Sequence, residues 1–252
     1  MQSPLLSVEN VTVSFDGFNA LDGMSLHLMP TSIRVLIGPN GAGKSTLLDT
    51  IIGNVRPASG RVVFKGEDIT DLNEYKIVRR GICRKFQAPG TLENLSVEDN
   101  LNLAARPRRE SWRSFGVGIA SQVRARVERV LERTGLKEKR KSLAGQLSHG
   151  QKQWLEIGMV VSSDADLLLL DEPAAGMSLD ESAQTAELIR SLSSDHSFLV
   201  IDHDMTFVEQ LDAPVSVMHM GRMLKEGSLN EIQRDPQVIS VYLGREKEVA
   251  VA

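Results

Sequence analysis

The sequence predicts an α/β fold built on a parallel sheet, and three observations carry that prediction. Strand-like apolar runs alternate with helical stretches through the last third of the chain. A glycine-rich loop joins an apolar strand to a helix between Ile33 and Ile52. Four consecutive leucines, Leu167 to Leu170, end in two acids, Asp171 and Glu172. Strands that alternate with helices pair in parallel, with the helices on the sheet's faces.

The elements follow in order. Val11, Val13 and Phe15 share one face, with Thr12 and Ser14 on the other, the pattern of a half-buried strand. Ile33 to Ile37 is a mostly apolar strand that enters the glycine-rich loop. Lys44 to Ile52 reads as the helix after it. Gly60 to Lys65 reads as another strand. From about Ala88 to Val160 the apolar residues recur at helical spacing, with Val123, Val127, Val130 and Leu131 marking one helix face. Strand-like runs return at Leu167–Leu170, Phe198–Ile201 and Val215–His219. Helical stretches at Glu181–Leu192 and Met205–Leu211 separate them. Ser228 followed by Glu231 is a capping box that starts a short terminal helix. The expected layout is one domain over residues 1–252. Residues 1–87 and 161–227 form its core, 88–160 an inserted helical lobe and 228–252 a C-terminal helical extension.

Bulk properties narrow the function. At 252 residues, with 41% hydrophobic and 25% charged residues, the chain can bury a sizeable core. A net charge of -4 argues against a nucleic-acid binder. Cys83 is the only cysteine, which excludes an internal disulfide and fits a reducing compartment. The opening MQSPLLSVEN lacks the basic head and apolar run of a signal peptide. No apolar run approaches the roughly 18 residues that cross a bilayer. A membrane role is therefore expected to be peripheral. Arg106 to Lys141 holds 12 Lys and Arg against 4 Asp and Glu. That is either a solvated helical face or one lying near anionic headgroups.

Gly38-Pro39-Asn40-Gly41-Ala42-Gly43-Lys44-Ser45-Thr46 fits the pattern G-x-x-x-x-G-K-[ST] in full. Its glycines admit backbone angles closed to other residues, so successive N–H groups can point inward. Those donors and the positive end of the next helix hold phosphate oxygens. Lys44 supplies a mobile cation to the outer phosphates, and Ser45 a hydroxyl to Mg²⁺. A plain glycine-rich turn is the alternative, and the strand-to-helix context disfavours it. Asp171 ends a buried strand at the edge where open α/β sheets bind ligands. It suits the Mg²⁺ shell, and Glu172 suits the polarising of an attacking water. His203, just past the next strand, can reach a terminal phosphate. His27, His196 and His219 read as structural or surface residues.

Leu147-Ser148-His149-Gly150-Gln151, before a helix carrying Trp154, Leu155, Ile157 and Met159, narrows the reading. It closely resembles the signature of ABC-type ATPases, and the motifs above fall in that family's order. The resemblance spans essentially the whole chain and implies a P-loop core with an N-terminal antiparallel β subdomain. It implies that Phe15 stacks on adenine and that Gln87 joins sheet to lobe and contributes to the metal site with Ser45 and Asp171. Glu172 matches the catalytic glutamate and His203 the switch histidine. It also implies a dimer in which Ser148, His149, Gly150 and Gln151 of one subunit face the ATP on the other's phosphate loop. ATP and Mg²⁺ are the implied ligands.

Two positions depart from the family pattern. His149 stands where glycine is usual, so its side chain must point away from the nucleotide or adjust its contacts. Ser178 stands where many members carry aspartate, with Asp180 two residues out of register.

Asp171 to Met177 and Val241-Tyr242-Leu243-Gly244 resemble the ATPases of branched-chain amino acid and urea or amide importers. Leu147 to Trp154 looks most like the urea-transporter ATPase. The expectation is therefore an ATPase energising an importer of urea or short amides, or alternatively of branched-chain amino acids. Its implied partners are a second, related ATPase (or a second copy in isolation), two membrane permease subunits and, indirectly, a periplasmic solute-binding protein. The implied location is the cytoplasmic face of the inner membrane, with the segment Pro89 to Leu95 as the contact loop. A soluble ABC ATPase working on nucleic acid or ribosomes is disfavoured by the single phosphate loop and the lack of a heptad run. A regulatory module that does not turn over is disfavoured by the intact Glu172 and His203.

Overall fold

The computed structural model describes residues 3–84, 90–105 and 117–249. The first sheet has four strands in the order β2-β1-β4-β5, all antiparallel. They are β1 (Leu6–Phe15), β2 (Phe18–Leu28), β4 (Ser59–Phe64) and β5 (Glu67–Asp68). The second has six, in the order β10-β9-β3-β8-β7-β6. Its members are β3 (Ile33–Ile37), β6 (Ile82–Arg84), β7 (Leu167–Asp171), β8 (Ser197–Ile201), β9 (Val215–His219) and β10 (Arg222–Gly227). Only β10 runs antiparallel to its neighbour; the rest are parallel. The α/β class with a parallel sheet and an antiparallel N-terminal sheet is thus the observed one.

Side chains alternate across the second sheet. Leu36, Leu167, Leu169, Leu199 and Ile201 pack toward the first sheet and α1 (Lys44–Ile51). Leu168, Leu170, Phe198, Val200, Val35 and Val217 pack the other way. They meet α6 (Leu179–Leu192), α7 (Met205–Leu211) and the helical lobe. Burial on both faces explains why β7 reads as an unbroken apolar run rather than an alternating one.

The lobe holds α3 (Val97–Ala104), α4 (Val117–Arg133) and α5 (His149–Ser162), mutually in contact. Val127, Val130 and Leu131 are buried and Val123 packs beside them, as their spacing predicts. Much of the described basic run is compensated inside the protein. Arg126 pairs with Asp164, Arg133 with Asp195, Lys137 with Glu132, and Arg140 and Lys141 with Glu98. That pairing favours a solvated, internally neutralised face over lipid contact. Ser228 caps α8 (Leu229–Arg234) with the expected reciprocal bonds to Glu231, and α9 (Pro236–Val249) follows.

Five elements were not evident from the pattern, among them the short strands β5 and β6. In β2 the pairing with β1 shifts register three times, which breaks the period-two signal. The edge strand β10 carries Arg222, Lys225 and Glu226 in place of an apolar stripe. The helix α2 (Glu74–Arg80) buries only Ile77 and is set by its ends, an Asn73 cap and a left-handed Gly81.

Candidate functional site

The parallel register builds the site. Asp171 on β7 lies level with Ile201 on β8, and Ile201 with Leu36 on β3. The residues just past these three strand ends therefore share one edge of the sheet: Gly38 onward, Glu172, and Asp202 with His203. This is the carboxyl edge at which open α/β sheets bind ligands.

The loop from Gly38 to Gly43 turns β3 into α1. Gly43 is the helix N-cap, with φ 99°. A Cβ there would strike the carbonyl oxygen of Ala20, and one on Gly38 that of Met218. At these two positions the backbone is packed so closely that a side chain is excluded, while the loop between them keeps the glycine freedom with which N–H groups line an anion cradle. Gly221 N–H donates to the Ala42 carbonyl (3.0 Å), and Asp22 N–H to that of Gly221 (2.9 Å). The loop is thereby tied to the β9–β10 turn and to β2. Lys44 Nζ donates to the Gly38 and Pro39 carbonyls (2.6 and 3.1 Å), which holds the ammonium over the loop.

Asp171 is buried, its side chain 4% exposed. Its Oδ2 accepts from Arg84 Nη2 at 3.1 Å, while Arg84 Nη1 donates to Asp49 Oδ1 at 2.6 Å. Glu172 sits in the left-handed region at φ 48°, its N–H donating to the Ile201 carbonyl (2.8 Å). That conformation is uncommon for a residue with a side chain and is held by the neighbouring strand. It turns the carboxylate out of the sheet toward His203, whose Nδ1 lies 3.1 Å from Glu172 Oε1. Asp202 is almost fully buried, and its Oδ1 accepts from the His203 and Asp204 N–H groups (2.8 and 3.0 Å). Burial pushes its carboxyl above the ordinary value, against those two bonds. Its Oδ2 has no hydrogen-bond partner among the described residues.

Phe15 and Phe18 face each other across a two-residue turn, Asp16-Gly17, with φ 48° and 86°. Positive φ at both positions is the hairpin turn that matches strand twist. Both rings are exposed, and β2 then leads through Ala20 to the phosphate loop.

The signature residues form the start of α5. Ser148 Oγ accepts from Gln151 N–H and Gln151 Oε1 from Ser148 N–H, a full capping box. His149 Nε2 lies 3.0 Å from the Ala175 carbonyl. The extra side chain is therefore turned sideways, onto the loop that follows Glu172. Ser178 is the N-cap of α6, boxed with Glu181. A capping hydroxyl suits that position as well as an aspartate does.

The expected residues Lys44, Ser45, Asp171, Glu172 and His203 thus come to one edge. Gln87 lies outside the described residues. Among the described residues no three His, Cys, Asp or Glu side chains converge as a metal cluster. A hard cation held by one carboxylate, one hydroxyl and phosphate oxygens needs no such cluster. The buried Asp171, with one oxygen left beside its Arg84 bond, fits that donor set. Sequence reading missed Arg84, Asp49, Asp202 and Phe18. A charged residue at the end of the apolar strand Ile82–Arg84 was the one available signal, since such a group requires a carboxylate partner.

Comparison with known proteins agrees with this geometry. The family model described as ABC transporter matches residues 21–175. The high-affinity branched-chain amino acid transport ATP-binding protein LivG of Escherichia coli is 33% identical over 253 residues, 97% of this chain and 99% of that one. BraF of Pseudomonas aeruginosa, of the same description, is 33% identical with the same coverage. A nucleotide-free ATP-binding cassette from an ABC transporter superposes with a TM-score of 0.82 at 29% identity, covering 95% of this chain and 98% of that one. An ATP-binding cassette in its ADP conformation gives 0.81 at 29%, covering 96% and 100%. Among the described residues no helix is long and apolar enough to cross a membrane.

Proposed function

The chain belongs to the ABC transporter family as an ATP-hydrolysing importer subunit, and from that premise we propose that it powers uptake of branched-chain amino acids, with Lys44, Asp171, Glu172 and His203 as its working residues. The 33% identity to LivG and BraF along 97% of the chain supports this solute class over urea. The urea reading rests on Leu147 to Trp154 alone, a segment that an ATPase never brings near the solute.

The contact between Glu172 and His203 carries the catalytic part. The phosphate loop binds ATP through its N–H groups, with Phe15 beneath the adenine. Lys44 exchanges the Gly38 and Pro39 carbonyls for phosphate oxygens as the nucleotide enters. Mg²⁺, when bound through Ser45, Asp171 and Gln87, neutralises charge on the outer phosphates. Glu172 accepts a proton from the attacking water and is aimed by His203. A neutral His203 that donates from Nδ1 to Glu172 presents a lone pair at Nε2. Donation to a phosphate oxygen then requires the protonated ring, or a tautomer swap that releases Glu172.

Ser148 and the N–H groups at the start of α5 form a second anion-binding helix end, which completes the site of a partner ATPase. That partner is a related subunit, or a second copy in isolation. The lobe at 88–160 docks two membrane permease subunits, which a periplasmic binding protein supplies with solute. Leu92 and Leu95, exposed on a loop that the buried Asn100 clasps through Leu92 N–H and the Leu92 and Ser96 carbonyls, are its contact points. The chain works at the cytoplasmic face of the inner membrane.

Glu172→Gln tests the mechanism: it keeps ATP affinity and loses turnover, because an amide is no base. Turnover at the parent rate would remove Glu172 from its role. Uptake of labelled leucine and urea in cells with and without the chain separates the solutes. Loss of urea uptake alone would overturn the amino acid reading.

A further inference from the structure

Arg84 belongs to none of the motifs, yet it holds two of the site's elements together. Its guanidinium, 11% exposed, bridges Asp49 on α1, just behind the phosphate loop, and Asp171 at the end of β7. The two bonds leave from different nitrogens, Nη1 and Nη2, at 2.6 and 3.1 Å. A planar fork serves the two carboxylates from two nitrogens in a fixed geometry; a lysine ammonium is a point charge on a flexible stem and fixes no such geometry. The register of β6 with β7, Arg84 level with Leu169, sets the guanidinium two residues short of Asp171 along the strand.

The arrangement has two consequences. The carboxylate of Asp171 cannot rotate freely, because Oδ2 is pinned, and its other oxygen is left for a ligand. The three side chains together carry one net negative charge, so the cluster still attracts a cation while the buried Asp171 carboxylate does not stand uncompensated.

We infer that Arg84 is a positioning residue for the metal step: it orients Asp171 toward Mg²⁺ and fixes that carboxylate relative to the phosphate loop through Asp49. The inference rests on the reading of Asp171 as the magnesium carboxylate. An outer partner that orients a metal-binding carboxylate controls affinity for the metal more than the fold.

The test is equilibrium binding of a fluorescent ATP analogue to the purified chain, in EDTA and across a Mg²⁺ titration, for the parent, Arg84→Lys, Arg84→Met, Asp49→Asn and Asp171→Asn. Melting without nucleotide is recorded alongside. Both Arg84 variants should bind the analogue in EDTA as the parent does, yet need about tenfold more Mg²⁺ for half of the Mg²⁺-dependent tightening. Asp49→Asn should shift in the same direction by less. A lower Mg²⁺ requirement in Arg84→Met would mean that the guanidinium acts only as a repelling charge, and would overturn the inference. So would an unchanged requirement, or a loss of EDTA binding that parallels a lower melting point. If Asp171→Asn keeps the parent's Mg²⁺ dependence, the reading of Asp171 itself fails. If it loses that dependence while the Arg84 variants keep it, only the role of Arg84 fails.

Discussion

Asp202 offers a direct test of how the His203 turn is built. Its Oδ1 accepts two backbone N–H bonds, from His203 and Asp204, and its Oδ2 is buried with no partner among the described residues. Asp202→Ala removes the acceptor and leaves two N–H groups unmatched. At about 1 kcal/mol for each lost bond, the cost is about 2 kcal/mol in acid, where the parent carboxyl is neutral, and less at neutral pH, where the substitution also removes the buried charge. Asp202→Asn keeps an acceptor at Oδ1, removes the charge and puts an amide NH2 in place of the already unpartnered Oδ2. Burial raises the carboxyl above its ordinary 3.8. For an acid raised on folding, the stabilising contribution is full below the unfolded value and is lost as pH rises through the folded one. At neutral pH the ionised Asp202 is therefore a burden, and Asp202→Asn should be at least as stable as the parent. The gap should close as pH falls below the carboxyl's ordinary 3.8, where the folded and the unfolded parent are both protonated. Urea unfolding followed by circular dichroism across this range measures both variants. If Asp202→Asn loses as much stability at neutral pH as Asp202→Ala, the turn account is wrong, and the charge itself has a partner at Oδ2.

Three further outcomes follow from the geometry. Gly43→Ala places a Cβ against the Ala20 carbonyl at a φ of 99°, so ATP binding should be lost together with about 1–3 kcal/mol of stability, read by titration and melting. His149→Ala removes the contact with Ala175 but spares the Ser148–Gln151 box, so kcat should fall by less than about tenfold with KM unchanged; an unchanged kcat would make that contact idle. Glu98, held down to about 2 by Arg140 and Lys141, contributes above its unfolded value near 4.5 and loses that contribution as pH falls through about 2. Glu98→Gln should therefore cost about 1 kcal/mol at neutral pH and nothing in strong acid, by unfolding at the two pH values.

What was legible in the sequence was local. Gly38 to Thr46, the leucine run into Asp171 and Glu172, and the Ser228 box each declare themselves within ten residues, because backbone angles, strand burial and helix caps are decided at that range. His203 was legible one step further out, through its place after a strand that follows another. Arg84 was not, although it stands three residues from Gln87. Its partner Asp171 is 87 positions away and Asp49 is 35. They meet only because β6 pairs beside β7 in parallel and α1 packs against the same face, facts of strand order that no local pattern contains. The same holds for β2, whose register shifts erase its periodicity, and for His149, whose partner Ala175 belongs to the loop after β7. His149 sharpens the point. As a departure from the family's glycine it left two possibilities, a side chain that points away from the nucleotide or one that adjusts its contacts. In the fold its ring is turned away from the helix end and toward the loop behind Glu172, so the Ser148–Gln151 cap is formed without it. The helix end proposed above to meet a partner's phosphates is made by Ser148, Gln151 and backbone N–H groups, which is why a side chain at 149 can be added without dismantling it.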